Sequence, residues 1–186
     1  MTIQSNHTMS KAKIIFKEGR EGEMTLDAIK GIAVPRIDGK TILVYPKYQK
    51  GPLLDSEREP DWSQPSCSSI KALLEDVDKS KELTDALLCL DSPAAKYVRS
   101  IGEQFNIPSL LTTATIKKYR NGINNLAKKI DGADILPNRL RLWSCNRSGH
   151  KDAWIVKQDS PYHPDGFIGQ HMMDSWLFMV VPVSLF

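Results

Sequence analysis

The chain has 186 residues, 41% hydrophobic and 25% charged, with a formal net charge of +3. That composition is ordinary for a globular protein able to bury a core without staples. The lysines and arginines are scattered among acids, so no nucleic-acid footprint stands out. Cys67, Cys89 and Cys145 are odd in number and form no C-x-x-C pair, which argues against a disulfide framework or a zinc site.

The leader MTIQSNHTMSKAK has no apolar h-region. No signal peptide is therefore expected, and the setting follows as cytoplasmic or virion-associated. Residues 1–12 read as a flexible arm and residues 13–186 as a single domain. Lys13–Lys17 is a short strand. In GIAVPRIDGKTILVYPKY, residues 31–48, the Asp38-Gly39 turn between apolar runs predicts an antiparallel hairpin. Pro35 and Pro46 suit strand ends. Gln49–Pro65 reads as a loop that Trp62 pins to the core. Residues 66–76 carry helical spacing at Ile70, Leu73 and Leu74, and Asp78–Lys81 breaks it.

Ser92 followed by Pro93 predicts a helix N-terminus. Ala94, Ala95, Val98, Ile101 and Phe105 form its buried stripe, and Asn106 ends it. A second helix is expected from Thr113 to Ile130, with Ile116, Tyr119, Ile123, Leu126 and Ile130 buried and Gly132 as its C-terminal cap. Leu140–Val156, LRLWSCNRSGHKDAWIV, places two apolar runs around a polar loop from Ser144 to Asp152. It reads as a hairpin braced by Trp143 and Trp154. The closing run WLFMVVPVSLF is too short for a membrane span and reads as a strand. The whole suggests an α+β fold with a mixed antiparallel sheet, two main helices and long loops, its first and last strands paired.

The order of elements and five strings resemble the C-type-lectin-like fold, in a bacterial and phage branch related to fimbrial and sulfatase-modifying-factor-like domains of unknown function. The strings are GIAVPRIDGKTILVYPKY, SPAAKYVRSIGEQFNIPSLLT, INNLAKKIDGA, LWSCNRSGHKDAWIV and VVPVSLF, covering most of residues 30–186. Asn106 and Ile107 replace the tryptophan and tyrosine of the family's "W-Y-L-P-S" string, and Val181 replaces the arginine of its closing string. Calcium-dependent members of the fold use E-P-N or Q-P-D with W-N-D. Gln64-Pro65-Ser66 lacks the acid and no W-N-D occurs, so a calcium-independent chain is expected. Formylglycine-generating relatives use two reactive cysteines. Here Cys145 stands alone, with Arg147, His150 and Lys151 as neighbours that could lower its pKa.

His150, His163 and His171, with Asp152, Asp165 and Asp174, match no metal-ligand template. No G-x-S-x-G string and no glycine-rich phosphate loop occurs. What remains is a binding surface on the C-terminal loops: Asn146, Arg147, His150, Lys151, Asp152, Tyr162 and His163. The expectation is a non-enzymatic module, phage- or prophage-encoded, that takes a protein or glycan ligand there. It needs no cofactor, metal, membrane or nucleic acid. The alternatives are an assembly subunit making homo-oligomer contacts and, last, an oxidative enzyme using Cys145.

Overall fold

The Asp38-Gly39 turn closes the hairpin that begins the architecture. In the computed structural model, which describes residues 12–55, 78–148, 151–157, 167–173 and 178–186, β2 (Ile29–Pro35) and β3 (Thr41–Val44) pair antiparallel. Gly39 takes a φ of 83°, and the Gly39 N–H donates to the Arg36 carbonyl at 3.1 Å. A side chain is disfavoured at such a φ, which is why glycine belongs in the turn. β1 (Lys13–Phe16) adds to the free edge of β2. Gly31 of β2 lies close against β3: a Cβ there would meet the Val44 carbonyl at 3.0 Å.

Three helices are described: α1 (Ser80–Cys89), α2 (Pro93–Ile101) and α3 (Leu110–Ala127). The Ser92 hydroxyl caps α2, accepting from Ala95 N at 3.1 Å, as expected. It also donates to the Leu53 carbonyl, so one side chain joins a cap to a distant loop. α2 ends at Ile101 rather than Asn106, and Gly102 follows. Arg99 then donates to the carbonyls of Glu103 and Phe105, holding the non-helical stretch against the helix. α3 starts three residues earlier than expected, because Ser109 caps it by accepting from Thr112 N at 3.3 Å. Within the helix its expected stripe holds, with Ile116 and Ile123 buried and Tyr119 and Leu126 packed alongside. However, α3 ends at Ala127 with Lys128 as its C-cap, so buried Ile130 follows the helix and Gly132 does not cap it.

The C-terminal third forms β5 (Arg141–Arg147), β6 (Asp152–Lys157) and β7 (Phe167–His171), an antiparallel meander. The closing run does not make one strand. Pro182, which has no N–H to donate, separates β8 (Met179–Val180) from β9 (Val183–Leu185). β8 lies between β4 (Gln49–Lys50) and β5, giving a five-stranded sheet in the order β4-β8-β5-β6-β7. β9 joins the other sheet, β1-β2-β3-β9. The first and last strands therefore share a sheet but occupy its opposite edges, with β9 paired to β3.

Period-two alternation divides the apolar residues of the five-stranded sheet between two cores. Leu142, Trp154, Val156, Phe167 and Met179 face α3 and the four-stranded sheet. Trp143, Cys145, Ala153, Ile155, Ile168 and Val180 face α1, α2 and Leu53–Leu54. Trp143 and Trp154 thus sit in opposite layers and do not brace one another. Trp143 instead packs at a tilt against Phe178, with centroids 4.9 Å apart, and its Nε1 donates to the Gly51 carbonyl at 2.9 Å. The fold is α+β with two mostly antiparallel sheets and a five-stranded sheet covered on both faces.

Candidate functional site

Cross-strand pairing carries the β5–β6 hairpin to its tip. Between the pairs Trp143–Ile155 and Arg147–Ala153, β5 advances four residues while β6 advances two. The extra residues form a bulge. The Ser144 hydroxyl stabilises it, donating to the Trp154 carbonyl at 2.8 Å and accepting from Asn146 N at 3.3 Å. The polar loop is consequently shorter than the expected 144–152. Ser144, Cys145 and Asn146 are buried in the strand, and only residues 148–151 connect β5 to β6.

Asn146 is turned inward by this bulge and is not displayed. Its Oδ1 accepts from Leu110 N at 2.7 Å, so strand β5 supplies a cap to the first turn of α3. Arg147, Lys151 and Asp152 remain at the rim, each half-buried. Their backbones are fixed on both sides. Ser148 N donates to the Asp152 carbonyl and Met172 N to the Lys151 carbonyl, both at 2.9 Å. His150, Tyr162 and His163 lie outside the described residues, as do Trp62, Cys67, the helix expected at 66–76 and the arm up to residue 11.

Two residues absent from the sequence-derived set shape the tip. The Ser148 Oγ is buried without a hydrogen-bond partner among the described residues. It sits over Gly169 of β7, where a Cβ would come within 2.7 Å of Oγ and 3.2 Å of the Ser148 Cβ. No local pattern signals this contact, since it depends on the register of β6 with β7.

Below the hairpin, Cys145 is fully buried, with its amide bonded to the Pro108 carbonyl at 2.9 Å. Burial, and then the nearby Asp78 carboxylate, push its thiol well above the ordinary range. The lowering that Arg147, His150 and Lys151 could have supplied is therefore not found. A thiol held neutral and away from solvent is a poor nucleophile.

Among the described residues, Arg36 and Asp78 form a buried ion pair that Asp38 extends to the surface. Arg36, 4% exposed, donates to Asp38 in a fork, Nε to Oδ1 at 2.9 Å and Nη2 to Oδ2 at 2.6 Å. Its Nη1 donates to Asp78 and, at 3.1 Å, to the Thr112 hydroxyl. Asp78 also accepts from Ser80 N and Ser80 Oγ, at 2.9 and 2.5 Å, and from Ser109 Oγ at 3.2 Å. Burial opposes ionisation of Asp78, but the Ser80 and Arg36 hydrogen bonds outweigh it and hold the carboxyl below its usual range. For Arg36, burial is likewise outweighed by Asp38 and Asp78, and its pKa is raised. The cluster ties the first hairpin turn to the starts of α1 and α3. Among the described residues, the hydrogen bonds of the Arg36 and Asp78 side chains run between members of the cluster, which marks it as scaffold.

Among the described residues, no group of three His, Cys, Asp or Glu side chains could hold a metal ion. No helix there is long and apolar enough to cross a membrane. The class defined by this geometry is a mixed α+β protein whose β5–β6 hairpin lies within a sheet packed on both faces. Comparison with protein-family models, curated proteins and solved structures finds no match for the chain.

Proposed function

We propose that the protein is a non-enzymatic binding module of C-type-lectin-like fold. It takes a protein or glycan ligand at the tip of the β5–β6 hairpin, through Arg147, His150, Lys151 and Asp152. The proposal also includes Tyr162 and His163, which follow β6 in the sequence. The observation that carries this reading is the mounting of the tip. β5, β6 and β7 are packed on both faces, and Asn146, Ser144 and Cys145 serve the interior, so the rim side chains stand on a rigid base. The lectin-like part of this reading rests on the five sequence strings that carry the resemblance. A phage or prophage origin and a cytoplasmic or virion setting belong to the same reading.

The test is a glycan and host-surface protein array probed with the full chain and with an Arg147→Ala/His150→Ala/Lys151→Ala variant. Binding that the variant loses supports the assignment. Binding that the variant retains, or a well-folded chain that binds nothing, refutes it. A homo-oligomeric assembly subunit is the second reading. It is favoured by Ile37, Leu185 and Phe186, which are exposed at the turn end of the four-stranded sheet. A monomer in sedimentation equilibrium would exclude that reading.

A further inference from the structure

A second concave surface lies away from the hairpin, between the last turns of α3 and the loop that follows it. Asn121, Asn124, Asn125, Lys128, Ile135 and Asn138 line an open groove of about 540 Å³. That volume falls within the range of about 300–1,000 Å³ usual for ligand sites.

Asn124 shows what this helix face does with a main chain. Its Oδ1 accepts from Leu136 N at 2.9 Å, and its Nδ2 donates to the Leu136 carbonyl at 2.8 Å. One carboxamide thereby takes both polar groups of one residue in a non-helical segment, because an amide carries a donor and an acceptor side by side. Arg120 Nη1 donates to the Asn138 carbonyl at 2.7 Å and fixes the far end of that wall. Asn121 and Asn125 present the same group beside Asn124. Both are exposed, and neither side chain bonds a described residue.

Spacing then selects the occupant. Residues four apart on a helix are separated by about 6 Å along its axis. Alternate residues of an extended chain repeat at about 6.6 Å. A peptide lying along α3 would meet Asn121 and Asn125 at alternate residues, each carboxamide taking one N–H and one C=O. Lys128 lies three residues further along and has no ion pair with a described acid. Ile135, 42% exposed on the opposite wall, offers an apolar contact.

We propose that the groove beside α3 binds an extended peptide segment of a partner protein, with an acidic side chain of that segment at Lys128. This site is separate from the hairpin tip and does not depend on it. The test is an array of immobilised randomised nonapeptides, with a panel of neutral and acidic saccharides beside it. It is probed with the full chain, with Asn121→Ala/Asn125→Ala and with Lys128→Glu. The wild-type chain should bind peptides enriched in Asp or Glu. Removing two bidentate carboxamides should weaken that binding about tenfold or more. Lys128→Glu should reverse the charge preference while binding persists. Both sites are exposed, and unchanged circular-dichroism melts would establish that the variants fold. Peptide binding that the double variant keeps, binding of saccharides alone, or no peptide bound by the folded wild type would overturn the proposal.

Discussion

Replacing Arg36 by methionine tests the interior cluster most sharply. The substitution keeps the apolar stem and removes the guanidinium. Asp38, whose side chain is 32% exposed, can recover water, but the Asp78 side chain is only 3% exposed and cannot. Asp78 would keep its bonds from Ser80, Ser109 and Thr112 but lose its cation. Breaking a buried pair from one side costs about 3–5 kcal/mol, a large share of the roughly 5–15 kcal/mol that holds a typical domain. The pH dependence has a defined sign. In the wild type, Asp38 and Asp78 have lowered folded pKa values. Their contribution is therefore complete above the unfolded value of about 3.9 and is lost as pH falls through the lower folded values. In the variant, burial without the cation raises the Asp78 pKa, so protonation relieves the strain as pH falls. Urea unfolding followed by tryptophan fluorescence should show the full loss at pH 7 and a smaller one at pH 4. Adding Asp78→Asn should recover part of it, since the unpaired charge is then gone. A loss below about 1 kcal/mol at pH 7, or a gap that does not narrow at pH 4, would refute the reasoning.

Three further outcomes follow from single contacts. Ser92→Ala should cost about 2–3 kcal/mol in chemical denaturation, because it removes a helix cap and also strands the Leu53 carbonyl; a cost of only a few tenths would show that the second bond contributes nothing. Iodoacetamide on the native protein, mapped by peptide mass spectrometry, should label exposed Cys89 and leave Cys145 unmodified until the chain unfolds; native labelling of Cys145 would contradict its burial. Gly169→Ala should destabilise by about 1–3 kcal/mol, since its Cβ presses on Ser148, and should change amide exchange at residues 147–152; an unaltered tip would mean that β7 does not seat it.

Elements with a short-range cause were legible in the sequence. The first hairpin follows from Asp38-Gly39, α2 from Ser92-Pro93, the α3 stripe from isoleucines three and four apart, and the second hairpin from its flanking apolar runs. What escaped depends on partners far along the chain. α1 is weakly patterned, and its Thr84 hydroxyl is used to hold Ile107 N. The cap at Ser109 is masked by the threonines that follow it, which disfavour helix by themselves. Arg36 and Asp78 are 42 residues apart, and no local pattern joins them. The opposite facing of Trp143 and Trp154 needs the strand register, and the bulge that fixes this register also draws Asn146 out of the expected binding set. A two-residue shift in one strand thus separates a rim residue from a scaffold residue.

The most direct test of the proposed binding role is a hydrogen-exchange footprint. Amide exchange would be measured with and without the strongest ligand found on the glycan and host-surface array. The account predicts new protection at residues 147–152, with the faces of β5 and β6 unchanged. Protection confined to other segments, with none at the hairpin tip, would contradict it.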